Sequence, residues 1–481
     1  MSQTPNERLG RRATRGTVFG TLGQFGDQIF RLVGNVVLSR LLFPEAFGLM
    51  AIANLILTAL QMMSNVGIRP ALIRHPRGEE PVFLDTAWTL QILRGLLLFA
   101  IGLALAIPMA GFYDEPELRR IVPVVTFAAI FQGLFSTRLA TQMRHIQLGR
   151  VVAIETGARA ASVTVMIALA WVYGSVWALV AGGLTAAAVQ LVLSHTALPG
   201  PRNRLRFEPE AAREIFSFGK WIFVSTLFTF LSLRIDVALL GKLLPVGVLG
   251  VYSIGVMLPA ILGQLSGKLI QVVLMPALSE SYRTGEAALR DNFASARSVI
   301  LPVGVLASLG LALLAPSFFH YLYDARYHDA GWIAQLAVVP VWFTFLQESS
   351  GRVLLARGDS RSWALSNVWK TFVTGLGCLI GFQLAGLPGL IVGVGVAAAL
   401  GHAYVVIQLA WLGFATAAAD LLASAAGLAL AALCIPGAAW LVAWFGWPDV
   451  PIVHTLVGLA LLAPFGAGVA RHTLRALRTP G

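Results

Sequence analysis

The chain has 481 residues, 57% of them hydrophobic and only 12% charged, with a mean hydropathy of +0.76. Length alone would allow about three soluble domains, but this composition belongs to polytopic membrane proteins and excludes a string of ordinary soluble domains. The formal net charge of +12 does not imply nucleic acid: the cations lie in short patches between apolar stretches, without a basic groove or an aromatic-basic RNA motif.

A basic tail over 1–16, with Arg8, Arg11, Arg12 and Arg15, leads into the first apolar stretch. That stretch is too long and too polar for a cleaved signal peptide and lacks a small-residue cleavage site, so it is expected to stay. The first span, 17–42, has an oily face of Phe25, Ile29, Phe30, Val33 and Val36. On the other side runs a polar stripe of Gln24, Asp27, Gln28, Arg31 and Asn35, spaced three or four apart on one helical face. A charge at the middle of a spanning helix costs about 2.5–3.5 kcal/mol. A helix bearing both Asp27 and Arg31 therefore belongs against a water-filled cavity or other helices, and the stripe marks a transport pathway.

Spans are expected next over 45–66, 82–110, 120–143, 150–173 and 175–197, which complete a six-helix bundle over 17–197. The charged loop 198–213, proline-rich at its start, is the natural linker between two halves. A second six-helix bundle, 214–412, follows with spans over 214–243, 247–278, 293–315, 330–353, 361–385 and 387–412. Residues 413–481 add two helices, 418–445 and 452–470, and a short tail. The expected fold is all-α and integral to the membrane, with about fourteen transmembrane helices.

With the N-terminus in the cytoplasm, inside segments hold 23 Lys or Arg and outside segments only five, namely Arg40, Arg119, Arg120, Lys242 and Arg326. The positive-inside rule then places both termini and the 198–213 linker in the cytoplasm. Trp171, Trp177, Trp440, Trp444 and Trp447 cluster at the predicted outer ends, as interfacial aromatics should. Cys378 and Cys434 both lie in apolar stretches and offer no disulfide framework.

An internal repeat supports two halves. Residues 38–53 align without gaps on 240–255, matching Leu38, Leu41, Leu42, Gly48 and Ile52 with Leu240, Leu243, Leu244, Gly250 and Ile254. Six helices separate the copies, an even number, so the repeat is parallel. Arg40 faces Lys242 in this alignment, and like charges there are expected to keep the outer helix ends apart. Arg31 maps within one residue of Arg234, which places one cation from each half near the same depth.

Inside the spans lie Arg31, Arg94, Arg159, Lys220, Arg234, Lys268 and Lys370, against Asp27, Asp85, Glu155, Asp236 and Glu348. All twelve facing lipid, at about 3 kcal/mol each, would be an implausible load, so pairing must absorb part of it. Asp27 with Arg31 and Glu155 with Arg159 are both i,i+4 pairs that can bridge along one helix. Arg234 and Asp236, two apart, point to different sides. Lys220, Lys268, Glu348 and Asp85 fit helix clamping or snorkelling near cytoplasmic ends. Arg31, Arg94 and Arg234, nearer mid-membrane, fit a cavity, and an excess of arginine there favours an anionic substrate held by guanidinium forks. The eight histidines show no ligand spacing, and there is no P-loop, GxSxG or HExxH, so neither metal nor cofactor nor catalysis is expected.

The segments ALIRHPRGEEPVFLDTAWTLQILRGLLL (71–98) and FSFGKWIFVSTLFTFLSLRIDVALLGKLLPVGVLGVYSIGVMLPAILGQLSGKLIQVVLMPALS (216–279) resemble bacterial oligosaccharide flippases. The likeness is to the lipopolysaccharide and colanic-acid type of the multidrug/oligosaccharidyl-lipid/polysaccharide exporter superfamily, over about residues 14 to 415. It implies two six-helix bundles in a V around a central cavity. It also implies alternating access that moves an undecaprenyl-diphosphate-linked oligosaccharide across the bacterial cytoplasmic membrane. The partners it implies are that substrate, membrane lipids, and a polymerase and glycosyltransferases as neighbours.

In this view Arg31, Arg94 and Arg234, with Gln24, Gln28 and Asn35, line the substrate cavity. Asp27, Glu155, Arg159 and Asp236 orient arginines or couple an ion. The extra helix pair is expected to hold a lipid tail, as in the peptidoglycan-precursor branch. Two rivals remain: a multidrug exporter of the same fold coupled to protons or sodium through Asp27 and Glu155, and a membrane protein that moves nothing.

Overall fold

The computed structural model describes residues 23, 26–64, 67–145 and 147–478, without the side chains of 217–229, 231–233 and 474–478. Every regular element among these residues is helical. The chain forms two compact units, 1–250 and 251–481.

The first unit contains α1 (26–41), α2 (Pro44–Met63), α3 (Ile68–Arg74), α4 (Pro81–Tyr113), α5 (Leu118–Gly133), α6 (Arg138–Arg144), α7 (Leu148–Tyr173), α8 (Trp177–Thr196) and α9 (Pro209–Leu243). Prolines open α2, α4 and α9, where the first turn has no use for the missing N–H. Where α9 begins, Ala211 and Ile215 are fully buried against Phe83 of α4 and Leu72 of α3. The preceding loop is held down throughout. Arg138 of α6 donates to the carbonyls of Pro201 (2.9 Å) and Leu198 (2.9 Å), Ser136 donates to Asn203 (2.8 Å), and Arg204 N donates to Asp85 Oδ1 (2.9 Å). Arg77, in the turn before α4, donates to Glu80 (2.9 Å), Glu208 (2.9 Å) and Glu214 (3.2 Å), and these carboxylates hold its guanidinium firmly charged.

The second unit contains the continuation of α10 (Val246–Gly255), then α11 (Met257–Leu269), a π-helical turn over Ile270–Leu274, α12 (Met275–Thr284), α13 (Glu286–Leu322), α14 (Ala330–Ala356), α15 (Ser360–Trp411), α16 (Ala417–Trp444) and α17 (Pro451–Arg478). Asp359 caps α15, its Oδ1 accepting from Ser362 N at 3.0 Å. The backbone of α15 breaks at Ala385 (φ −147°, ψ 24°) and Gly386 (φ 60°, ψ −139°), so it is a hairpin of two helices. The sequence places a boundary at this same point. Gly377 lies against Gly393 and Gly381 against Gly389, where an added Cβ would run into the facing carbonyl.

Among the described residues ten helices are long and apolar enough to cross a membrane, or eleven if α5 and α6, bent by 62°, form one span. The expected fourteen differ from these at identifiable segments. The fourth is broken between Gly133 and Arg138, and the eleventh and twelfth run on as α15. The first lies partly outside the described residues, and the middle of α9 has undescribed side chains. Trp171, Trp177, Trp440 and Trp444 are all exposed, as side chains facing an interface should be.

The repeat-equivalent glycines meet. Gly48 at the start of α2 packs on the carbonyl of Val246, and Gly250 packs on that of Pro44, leaving no room for a side chain on either. The expected repulsion between Arg40 and Lys242 does not hold this end open. Lys242 Nζ donates to Asp114 Oδ2 at 2.6 Å, which neutralises it, and small residues let the helices touch.

Candidate functional site

The polar stripe of α1 faces α7. Gly34 fits closely under Val163, where a Cβ would stand 3.2 Å from the valine methyl, and this brings the two helices together. Asp27 Oδ1 accepts from Arg159 Nε at 2.7 Å, linking residues 132 apart in sequence. The in-helix pairings expected from i,i+4 spacing are thus replaced by one bridge between helices. The cause is geometric: an arginine on a facing helix reaches the carboxylate head-on, while one on the same helix must fold back along the surface. Glu155 makes no ion pair among the described residues. With Asp27, Thr156, Arg159 and Gln190 of α8, it lines a cavity of about 320 Å³.

Arg31 sits in the electrostatic field of Arg159, Asp27 and Arg234. Its side chain is exposed and so is not sealed in a core. Arg234 of α9 is exposed as well. Three arginines of α1, α7 and α9 therefore share one neighbourhood with the paired Asp27 and, beside it, Glu155. Gln28 and Asn35 are half-buried on the same helix, Asp236 is half-buried on α9, and Gln24 lies outside the described residues.

Arg94 is elsewhere. Its Nε donates to Ser64 Oγ (2.8 Å) and its Nη2 to the carbonyl of Gln61 (2.6 Å), at a second cavity of about 350 Å³ walled by α2, α3, α4, α5 and α6. No other charge acts appreciably on it among the described residues. The structure thus divides the expected arginine set in two: Arg31 and Arg234 together, Arg94 apart.

The second unit holds a charged cluster that inspection of the sequence missed. Arg297 of α13 is 3% exposed and ion-paired with Asp420 of α16, which is 4% exposed. Arg297 Nη1 also donates to Ser350 Oγ of α14 (3.0 Å), and His402 Nε2 stands 3.1 Å from Asp420 Oδ2. Arg297 reads from sequence as one more cytoplasmic cation, and its partner lies on a helix outside the repeat. Next to this cluster, α13, α16 and α17 enclose an apolar cavity of about 920 Å³ with Arg290 and His472 on its wall.

Residues 37–331 match the family described as polysaccharide biosynthesis protein. The chain belongs to that family. It is 23% identical over 363 residues to the lipopolysaccharide biosynthesis protein WzxC of Escherichia coli (strain K12), covering 75% of this chain and 73% of the relative. Among solved structures it resembles the lipid II flippase MurJ in an inward closed conformation, with a TM-score of 0.75 at 12% identity, over 95% of this chain and 100% of that one. It also resembles a multidrug resistance MATE family transporter in its inward-facing conformation, with a TM-score of 0.61 at 14% identity, over 81% and 96% of the two chains. The expected all-α membrane fold is borne out, with a likeness in fold to these two structures, and the chain is a multi-pass membrane protein.

Proposed function

We propose that this polysaccharide biosynthesis protein flips an undecaprenyl-diphosphate-linked oligosaccharide repeat unit across the bacterial cytoplasmic membrane by alternating access. The observation that carries the reading is the shared neighbourhood of Arg31 and Arg234, two exposed guanidinium groups on a polar face of a membrane protein. Charges at that depth are costly unless they serve a ligand or a pathway. Guanidinium forks suit phosphate oxygens, so the diphosphate is their ligand. Asp27 holds Arg159 in place and so shapes the edge of the cluster. The apolar cavity between α13, α16 and α17 is of a size and lining that suit a prenyl tail. Glycosyltransferases that build the repeat unit and a polymerase that consumes it are the functional neighbours.

The rival is a multidrug exporter, whose cationic cargo or coupling ion would use Asp27 and Glu155. The MATE-like fold and the cavity beside Glu155 favour it. Against it, Asp27 is already neutralised by Arg159, and cations outnumber acids around Arg31. Deletion of the gene decides: lipid-linked repeat units should accumulate. Unchanged levels of those intermediates, together with new sensitivity to cationic drugs, would establish the exporter.

Both termini and the 198–213 loop belong in the cytoplasm under this reading, so reporter fusions at Gly200 and after Gly481 should both signal inside. An outside signal at either site overturns that orientation.

A further inference from the structure

The cavity around Arg94 is not accounted for by binding of a diphosphate at Arg31 and Arg234. Its polar lining comes from Gln61 of α2, Arg69 of α3, Gln91 and Arg94 of α4, Gln132 of α5, Ser136 and Thr137, and among the described residues no carboxylate lines it. Gln61 Nε2 donates to Gln132 Oε1 at 2.8 Å, which leaves the remaining amide atoms of both free to turn inward. Gln91 makes no side-chain hydrogen bond among the described residues, so its whole amide is available. Arg94 is fixed by Ser64 and by the Gln61 carbonyl through Nε and Nη2, and Nη1 has no protein partner among the described residues. Arg69 feels Glu155 at a distance but makes no ion pair among the described residues. Gly95 and Gly133 pack backbone to backbone, with a Cβ on either falling 2.6 Å from a facing carbonyl, and this fixes the spacing of the helices that carry Gln91, Arg94 and Gln132.

An arginine anchored at two nitrogens, open at the third and lacking an acid is poised for an anion. A ring of glutamines adds paired donors and acceptors, the equipment for hydroxyl groups. At about 350 Å³ the cavity is at the small end of ligand sites, which run from about 300 to 1,000 Å³. It has room for one sugar ring and not for a whole repeat unit. Resting on the flippase reading above, we propose that this pocket binds a single acidic sugar, one ring bearing a carboxylate, of the lipid-linked substrate. The carboxylate meets Arg94 and Arg69, and the ring hydroxyls meet Gln61, Gln91 and Gln132. Substrate choice then lies in α2, α4 and α5, apart from the diphosphate contacts on α1 and α9.

The test uses the full-length protein in nanodiscs and three probes: methyl β-glucuronide, methyl β-glucoside and inorganic pyrophosphate. Calorimetry should show the glucuronide binding about tenfold more tightly than the glucoside, the worth of one charge-assisted contact. Arg94→Gln and Gln91→Leu should each weaken the glucuronide by about tenfold or more, while Arg31→Ala leaves it unchanged. Pyrophosphate should respond in the opposite way, to Arg31→Ala and not to Arg94→Gln. Gln91→Leu carries the test even if Arg94→Gln fails to fold. A glucuronide that binds no better than the glucoside, or not at all, overturns the proposal. So does pyrophosphate binding that depends on Arg94, which would make this pocket the diphosphate site. The flippase reading fails separately, through unchanged lipid-linked intermediates in the deletion strain, and that result leaves the probe measurements readable.

Discussion

Arg297 in the second unit and Arg31 and Arg94 in the first are surrounded in opposite ways. Arg297 of the second unit is matched by Asp420, bonded to Ser350, set 5.2 Å over the Phe293 ring and almost wholly enclosed. Arg31 of the first unit is exposed among other cations, and Arg94 faces a polar cavity with no acid acting on it among the described residues. A buried pair that is complete on its own asks nothing of a ligand. A guanidinium left facing a cavity keeps hydrogen-bonding capacity that the fold does not use. Compensation, not depth in the membrane, separates an arginine that holds helices from one that binds.

The largest effect should fall on activity in the first unit. Arg31→Ala and Arg234→Ala should each abolish polysaccharide export at near-normal protein levels, measured by surface polysaccharide and immunoblot. Lysine at either position should rescue only in part, because it lacks the bidentate fork. Wild-type export from both alanine variants would erase the distinction between the units.

In the second unit the same kind of change should strike the fold. Asp420→Ala strands a buried charge and should cost about 3–5 kcal/mol, seen as lost protein or a lowered melting temperature. Replacing Arg297, Asp420 and His402 together with apolar residues of similar volume should recover most of that stability. If the triple variant is stable but cannot export, the cluster serves transport and the comparison fails.

A smaller loss is expected from Arg77→Ala, since its three carboxylates are partly exposed and water can take over. The loss should shrink as salt rises, measured by thermal melting over a salt series.

The smallest effect belongs to the cap of α15. Asp359→Ala should cost about 1 kcal/mol near neutral pH. The Ser362 backbone N–H lowers the Asp359 pKa in the fold, so the unfolded chain binds its proton more readily. The contribution is therefore present above the ordinary aspartate pKa and fades as pH falls through the lowered one. A melting difference between the proteins that does not narrow in acid would exclude this role.

Much of the fold was legible because a spanning helix announces itself by local composition. The α15 hairpin boundary and the polar stripe of α1 both follow from neighbouring residues. Pairing is not local. Asp27 could be matched to Arg31 by counting along its own helix, but its true partner, Arg159, is set by how α1 packs on α7. Arg297 looked like any cytoplasmic arginine until α16 brought Asp420 to it. Arg69 and the glutamines around Arg94 are polar residues on four different helices, and only their convergence gives them meaning.

The glycine contacts inside α15 bear on how the protein is made. At Gly377 and Gly393, and again at Gly381 and Gly389, two helix backbones touch with no side chain between them. Such a pair can leave the insertion machinery together, already sheltering its small-residue faces from lipid, before α16 has been synthesised. A bulky residue at Gly381 would then act during biogenesis. Quality control would remove the unpaired helices, and the cell would show missing protein rather than slow protein.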